Sequence, residues 1–212
     1  MSFPFVRTLD SYSRVKPTAT FPSLKTRCHQ YCESYVEIDA CIAREFSTEI
    51  DTYITQPTSF GYRLKDGSRL RRYTPDALVR TIYGHYYYEE VKPYWVTLTE
   101  KFIRQFEVLQ WLFEHVIGVP LELNYANTKH PDKSIANYEL LYAYRERTVP
   151  IKASQIISSN IWSSSITPAE VEDVFLSHGL TAIDAWTSIA HNHFRYSNDA
   201  LINSQSIIEV TN

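Results

Sequence analysis

Hydrophobic residues recur every three or four positions in two long stretches of the chain. This period matches one face of an α-helix and predicts helices over about residues 29–49 and 97–116. The repeating positions of the first stretch are Tyr31, Tyr35, Ile38, Ile42 and Phe46. A short extended run over residues 52–55 follows the first helix and ends at the Gln56-Pro57 pair.

Two β-hairpins are predicted between the helices. The strand-like runs are 59–64, 69–74, 77–82 and 86–91. Asp66-Gly67 separates the first two runs and is typical of a two-residue turn, while Gly84 separates the last two. After the second helix, residues 118–125 (GVPLELNY) predict a buried strand. This order of elements predicts an α/β domain over residues 21–127, with a mixed sheet flanked by helices.

A second, mostly helical domain is predicted over residues 134–212. The polar segment 126–133 contains a proline and is interpreted as a linker. Two helix starts follow, one at Thr167-Pro168-Ala169-Glu170 and one at Thr181 with Asp184. Short strands are predicted over 194–196 and 207–210, so short helices precede a small strand pair, as in a winged-helix-like domain. At the other end, residues 1–20 are polar, contain two prolines, and are interpreted as an N-terminal arm.

The composition limits where the chain works and what it binds. No apolar run approaches the roughly 20 residues needed to cross a bilayer, and the opening MSFPFVRTLDSY lacks the apolar stretch of a secretory signal. Three cysteines without paired spacing argue against a disulfide framework. These features predict a cytoplasmic protein with no membrane partner. The net charge of −3 is unusual for a free-standing nucleic-acid binder, so any such contact needs a local basic face or partner subunits.

The most informative residues lie at one end of the second predicted hairpin. Pro75-Asp76 precedes its first strand, and Glu90-Val91-Lys92 closes its second strand. With the hairpin centred on Gly84, Asp76 falls opposite Lys92, and Leu78 falls opposite Glu90. Side chains opposite one another, or two apart on one strand, share a face of the sheet. Asp76, Glu90 and Lys92 are therefore expected to project to one side.

Two carboxylates held together favour a cation between them, because each otherwise raises the pKa of the other. Mg²⁺ suits such a site, since it takes carboxylate and carbonyl oxygens. Asp76, Glu90 and the Val91 carbonyl are the candidate ligands, and Glu37 on the first helix is a candidate for binding a second ion. The expected cofactor is one or two Mg²⁺ ions, with Mn²⁺ as a substitute. Lys92 can orient the attacking water or meet negative charge in phosphodiester hydrolysis.

This pattern alone is loose, because Pro-Asp followed by Glu-x-Lys also arises by chance on an exposed hairpin edge. Candidate contacts to DNA phosphates are Arg69, Arg71, Arg72 and Lys101, although the three arginines also suit a solvated strand edge. Gln56 is expected to tie the helix to the hairpin by hydrogen bonds. A zinc site at Cys28, His29, Cys32 and Cys41 lacks paired spacing, so ordinary thiols are favoured. Trp95, Trp111 and Trp186 are predicted to be core residues.

Several motifs taken together resemble those of TnsA proteins, the strand-cutting subunits of heteromeric transposases. The matching runs are Phe21-Pro22-Ser23-Leu24-Lys25, Glu33 and Glu37, Thr55-Gln56-Pro57, Arg71-Arg72-Tyr73-Thr74-Pro75-Asp76-Ala77-Leu78-Val79, and Glu90-Val91-Lys92-Pro93. The last two runs are similar to the RRYTPDFLV and VEVKP of that family, with Ala77 in place of a common phenylalanine. The resemblance covers about residues 20–125, and the later, helix-rich part carries no distinctive motif.

The resemblance implies a restriction-endonuclease-like fold of the PD-(D/E)xK type and a metal-dependent endonuclease activity. TnsA-like proteins cut the strands at the 5′ ends of a transposon, a TnsB transposase cuts and joins the 3′ ends, and the AAA+ regulator TnsC couples both to the target. The family's catalytic positions fall here on Glu37, Asp76, Glu90 and Lys92. Glu33 remains open as the helix carboxylate, although counting back from Gln56 favours Glu37.

Two other functions remain open at this point. The chain could be a non-catalytic adaptor that bridges the transposase and the AAA+ regulator, or a stand-alone restriction-like nuclease. The complete Asp76, Glu90 and Lys92 set argues against the adaptor. Target choice by a sequence-specific binder or by a CRISPR-guided complex also stays open.

Overall fold

The computed structural model describes residues 19–64, 68–125, 133–159 and 161–211. The chain divides into two compact units, Met1–His130 and Pro131–Asn212, and the division falls within the predicted linker. Most of the predicted arm and linker, and the Asp66-Gly67 turn, lie outside the described residues. None of the described helices is long and apolar enough to cross a membrane.

The first unit is built around a mixed four-stranded sheet flanked by helices, which confirms the predicted α/β class. Its elements are β1 (Ala19–Pro22), β2 (His29–Cys32), α1 (Tyr35–Phe46), β3 (Ile50–Thr55), β4 (Phe60–Tyr62), β5 (Arg71–Tyr73), β6 (Ala77–Thr81), β7 (Tyr86–Val91), α2 (Tyr94–Thr97), α3 (Glu100–Leu112), a π-helix (Phe113–Ile117) and β8 (Leu121–Asn124). The sheet order is β3-β6-β7-β8, with β7 and β8 parallel and the other neighbours antiparallel. Strands β1 and β2 form a separate antiparallel pair, and so do β4 and β5.

The first predicted helix begins six residues too early. Residues His29–Cys32 form β2 and pair with Ala19–Pro22, so β1 also starts inside the predicted arm. The helix itself begins after Ser34, whose side chain accepts a hydrogen bond from the Glu37 backbone amide at 3.3 Å. Such a cap fixes a helix start, because it satisfies one of the first amides that have no partner within the helix.

The second hairpin forms as predicted, but its register differs. Leu78 pairs with Tyr88 rather than with Glu90, so the expected pairing is displaced by two residues. The cause is a three-residue loop over 82–84. Within it, Gly84 takes a left-handed φ of 83° and donates its backbone N–H to the Thr81 carbonyl at 3.0 Å. A glycine adopts this conformation without steric cost, so the loop closes one residue before the predicted centre.

The second predicted helix is also divided. Residues Tyr94–Thr97 form the short α2, and Thr99 then caps α3 by accepting a hydrogen bond from the Phe102 amide at 3.3 Å. The helix widens into a π-turn at Phe113 and ends at Gly118. Trp95 and Trp111 are 67% and 56% exposed, so the prediction that they are core residues is wrong, and Trp186 is half-buried.

The two faces of the sheet pack against different helices. On one face, Tyr88 and Leu121 join Phe106, Leu109 and Phe113 of the α3 region in a buried cluster. Phe113 makes edge-to-face contacts there, with its ring centroid 5.1 Å from that of Tyr88. On the other face, Val91 packs against Ala40 and Val36 of α1.

A buried ion pair joins α1 to the sheet. The Nε of Arg44 donates to Glu89 Oε2 at 3.0 Å, and a second guanidinium nitrogen contacts the same oxygen. The side chains are only 2% and 6% exposed. Burial opposes the charge on Arg44, but Glu89 outweighs this effect and raises the pKa of Arg44. Adjacent glutamates of β7 therefore have separate roles: Glu89 pairs with Arg44 of α1, and Glu90 is the acid of the predicted site.

The second unit contains four helices and a two-stranded antiparallel sheet within its described residues. Its elements are α4 (Ser134–Arg145), α5 (Ile151–Ile157), α6 (Pro168–Ser177), α7 (Ala182–Ala190), β9 (Phe194–Tyr196) and β10 (Ile208–Val210). Both predicted helix starts are confirmed, because Thr167 with Glu170 and Thr181 with Asp184 each form a complete capping box. The winged-helix topology stays a prediction.

Candidate active site

The structure brings Asp76, Glu90 and Lys92 together at the end of β6 and β7. The Lys92 Nζ lies 2.6 Å from Glu90 Oε1 and 3.3 Å from Asp76 Oδ2. Both carboxylates are largely buried, with side-chain exposures of 13% for Asp76 and 11% for Glu90. The group is thus a compact arrangement of two acids around one ammonium.

Backbone hydrogen bonds hold Asp76 in place just before β6. Its carbonyl accepts from the Gln56 amide at 2.9 Å, and its own amide donates to the Glu89 carbonyl at 2.8 Å. Its side-chain Oδ2 accepts from the Val91 amide at 2.7 Å. The backbone of the aspartate and one of its carboxylate oxygens are therefore held by its neighbours.

The electrostatics of the group are those of crowded carboxylates. Burial, followed by repulsion from Glu90, raises the pKa of Asp76 to about 7, and Lys92 and the Val91 amide only partly oppose this. Burial disfavours the ammonium of Lys92, but Asp76 and Glu90 outweigh it and raise the pKa of Lys92. Negative charge is thus in excess at the group, and an additional cation would relieve it.

Tyr73 belongs to the site, although the sequence motifs assign it no role. Its hydroxyl donates to Glu90 Oε2, the oxygen that Lys92 does not contact. Burial and the neighbouring Glu90 raise the pKa of Tyr73, so the hydroxyl keeps its proton. Two features of the sequence could have indicated this role. Tyr73 lies three residues before Asp76, and side chains alternate along its strand, so that Tyr73 faces inward and Arg72 faces solvent.

Glu37 lies near the group but is held by the start of α1. Its Oε1 accepts from the Ser34 hydroxyl at 2.9 Å, and its Oε2 accepts from the Glu33 amide at 2.9 Å. The Gln56 side-chain amide also reaches Oε2 at 3.5 Å, as expected for a residue that ties the helix to the hairpin. Its charge contributes to the raised pKa of Asp76. Glu33 takes part in this arrangement through its backbone amide, which donates to Glu37.

Replacing Glu37 with glutamine is expected to separate its capping role from a metal-binding role. The amide oxygen of glutamine can still accept a helix-start hydrogen bond, so the urea midpoint should stay close to that of the original chain. Glu37→Ala leaves the Ser34 cap but removes the acceptor of the Glu33 amide and the Ser34 hydroxyl, and should lower the free energy of unfolding by about 1 kcal/mol. If Glu37 binds an ion, Glu37→Gln loses activity without losing stability. Full activity of Glu37→Gln would restrict this residue to capping.

The donor set fits a hard divalent ion, which the resemblance implies. Among the described residues, no group of three or more His, Cys, Asp or Glu side chains is arranged to hold a metal. Asp76 and Glu90 instead share the Lys92 ammonium, which also donates to the Val91 carbonyl at 3.1 Å. The carboxylate and carbonyl oxygens that contact Lys92 are the type of ligand that Mg²⁺ prefers. The excess negative charge of the two acids would favour such an ion electrostatically.

The four predicted DNA-binding residues are all exposed, and two of them share a groove. Arg71 and Lys101 line one groove of about 480 Å³ between the β4–β5 hairpin and α3. Arg69 and Arg72 are not among its lining residues. Phosphate contacts by these four residues stay predictions.

The candidate zinc ligands do not form a metal-binding group within the described residues. Cys28 and His29 are exposed, whereas Cys32 and Cys41 are buried with their sulfur atoms 3.7 Å apart. Only Cys41 lies on α1, because Cys28 and Cys32 precede the helix. All three thiols are free.

Neither a protein-family model nor a curated protein matches this chain. A functional proposal therefore depends on the side chains at the end of β6 and β7 and on the sequence motifs that carry them.

Proposed function

We propose that this chain is a Mg²⁺-dependent DNA endonuclease of the PD-(D/E)xK type. The main support for this proposal is the contact of Lys92 Nζ with the largely buried carboxylates of Asp76 and Glu90, at 3.3 and 2.6 Å. Two acids and one lysine on adjacent strands are the parts that hydrolysis of a phosphodiester needs. A surface hairpin with ordinary charges would have no reason to bury two carboxylates around one ammonium.

Each residue of the group has a role in the proposed reaction. Asp76, Glu90 and the Val91 carbonyl would hold the ion, with Glu37 as a further carboxylate. When bound, Mg²⁺ lowers the pKa of water and neutralises charge on the scissile phosphate. Lys92 keeps its proton, orients the attacking water and offsets negative charge as the phosphate is attacked. Tyr73 holds Glu90 in one orientation by its hydrogen bond.

We further propose that the substrate is transposon-end DNA, on the basis of the TnsA-like motifs. In this role the chain cuts the 5′-end strands in the bacterial cytoplasm, together with a TnsB-type transposase and a TnsC-type regulator. The net charge of −3 agrees with a subunit that depends on partners for much of its DNA affinity. The second unit, as a winged-helix-like module, would contact the regulator.

The direct test is a strand-resolved cutting assay with the full chain, the partner transposase and labelled transposon ends. Cutting of the 5′ strand is expected with Mg²⁺ and not with EDTA. Lys92→Met should lower the cutting rate by about 100- to 1,000-fold, because it removes one positive charge from the reacting phosphate. Binding of Mn²⁺, followed by calorimetry, should persist, since methionine leaves both carboxylates in place.

Asp51→Asn is a matched control for an acid elsewhere on the same sheet, because Asp51 is exposed and pairs with Arg80. It should cut like the original chain. Absence of Mg²⁺-dependent cutting in the complete mixture would contradict the nuclease and favour the adaptor. Equal cutting by Lys92→Met would remove the assigned role of the lysine.

A further inference from the structure

A trough runs between the β4–β5 hairpin and α3, beside the candidate active site. It consists of two adjoining grooves of about 480 and 370 Å³, and both are lined by Leu64 and Val108. We call the first groove the cationic end, defined by Arg71, Lys101 and Arg104, and the second the apolar end, defined by Leu64, Val108 and Trp111. Two chemically different surfaces thus meet along one depression.

The cationic end concentrates positive charge on a chain that is acidic overall. Arg71, Lys101 and Arg104 line it with Glu100 as the one acid, and Arg104 is paired with Glu100 at 3.0 Å. The pair is highly exposed, with side-chain exposures of 79% and 85%, so it is easily exchanged for another contact. Such a surface suits the phosphate backbone of a nucleic acid.

The apolar end presents an aromatic ring that is already ordered. Trp111 is 56% exposed, and its ring stacks on His115 with centroids 5.0 Å apart and an interplanar angle of 12°. Nucleic-acid bases stack on aromatic side chains next to cationic grooves in proteins that bind single strands. A ring held by a neighbour loses little further freedom when a base stacks on it.

The trough begins next to the candidate site. Arg71 and Tyr73 are two residues apart on β5, so they share a face of the hairpin and are separated by about 6.6 Å along the strand. Tyr73 contacts Glu90 of the site, whereas Arg71 lines the cationic end. A DNA strand whose scissile phosphate lies at the candidate site can therefore continue past Arg71.

We propose that the trough holds the DNA strand that adjoins the scissile phosphate. The cationic end binds its phosphates, and an unpaired base stacks on Trp111 at the apolar end. This inference rests on the proposed nuclease function and deepens it, because it assigns the chain a preference for DNA with a locally single-stranded segment. The cations of the trough outnumber its acids, with Arg63, Arg71, Lys101 and Arg104 against Glu100 and Glu107. Together with the exposed ring of Trp111 they favour nucleic acid over an apolar peptide as the occupant.

Binding is tested with the full chain in EDTA, where no cutting takes place, by fluorescence anisotropy. The probes are a labelled blunt duplex and the same duplex with a short single-stranded extension. Arg71→Gln/Lys101→Gln should weaken binding and make the slope of log affinity against log salt less steep by about 1.5, as expected for two lost phosphate contacts. The control Arg27→Gln/Lys152→Gln removes two exposed cations elsewhere and should leave the slope unchanged.

Two further variants separate the ends of the trough. Trp111→Ala should weaken binding of the extended probe by about tenfold and abolish its advantage over the blunt duplex, whereas Trp95→Ala, at another exposed tryptophan, should preserve that advantage.

Glu100→Gln removes the acid that pairs with Arg104 and should strengthen binding about two- to fivefold at low salt. Glu114→Gln removes an exposed acid outside the trough and should bind like the original chain. A gain in affinity cannot result from misfolding.

The possible outcomes distinguish this inference from the proposed function. Trough variants that bind like their controls overturn the inference, even if Lys92→Met fails to cut as expected. Absence of any binding by the full chain at low salt also overturns it. Variants that lose affinity for the partner transposase but not for DNA would make the trough a protein-docking surface and contradict the assignment to DNA.

Discussion

Asp76→Asn is expected to eliminate cutting of the 5′ strand at transposon ends while 3′ cutting and joining continue. Asp76 is held by the Val91 amide at 2.7 Å and shares Lys92 with Glu90, so it is central to the charge of the site. Asparagine preserves the size of the side chain but removes its charge. In the proposed nuclease Asp76 is a ligand of an ion worth several kcal/mol in the transition state, so its loss is expected to lower the rate by about 1,000-fold or more.

The measurement is the structure of the transposition product. With the partner transposase active and the 5′ strands uncut, donor and target remain joined, and cointegrates replace simple insertions. Urea unfolding should show that Asp76→Asn is folded, because relief of the repulsion from Glu90 offsets the lost attraction to Lys92, and the amide oxygen can still accept from the Val91 amide. Simple insertions at the original frequency with Asp76→Asn would make the nuclease assignment wrong.

Arg44→Met is expected to lower the free energy of unfolding by about 3–5 kcal/mol, the largest effect on stability among the substitutions considered. It leaves the Glu89 carboxylate buried without its cation, and an uncompensated buried charge is costly. The Asn124 amide, which donates to the same Glu89 oxygen at 3.2 Å, cannot replace the lost charge. Equilibrium unfolding in urea measures the effect.

Two comparisons identify the cause of that loss. Arg44→Met/Glu89→Leu removes both charges and should recover most of the stability, since a buried ion pair is often replaceable by apolar groups. Arg80→Met breaks the exposed pair with Asp51 and should lower the free energy of unfolding far less than Arg44→Met does, because solvent screens this pair. An Arg44→Met protein as stable as Arg80→Met would show that the Glu89 charge is satisfied without Arg44.

The common face of Asp76, Glu90 and Lys92 could be predicted from sequence even though the hairpin register could not. Side chains alternate along a strand, so a register displaced by two residues leaves each of them on the same side. Which residue pairs with Leu78 depends on a three-residue loop that closes through Gly84. The presence of Gly84 in the sequence does not by itself define the length of that loop. Local patterns therefore predicted the composition of the site but not its pairings.

Other contacts depended on residues far apart in the chain. Arg44 and Glu89 are separated by 45 positions and each lies in an ordinary amphipathic element, so neither carries a local signal of the other. The strand His29–Cys32 was mistaken for helix because Tyr31 continues the helical spacing of Tyr35 and Ile38. Its pairing with Ala19–Pro22 outweighed that pattern.

The sequence of β7, Tyr86-Tyr87-Tyr88-Glu89-Glu90-Val91, is nearly unchanged by a slip of one position. After such a slip Tyr87 would replace Tyr88 among the aromatic rings, Glu89 would take the place of Glu90, and Val91 would take the place of Lys92. Three contacts would reject the error: Arg44 would face a tyrosine, a glutamate would enter the apolar contact that Val91 makes with Ala40 and Val36, and the ammonium beside Asp76 would be lost. Correct alignment of Glu90 therefore depends on residues of both faces of the strand, two of these contacts lying on the face opposite the candidate site.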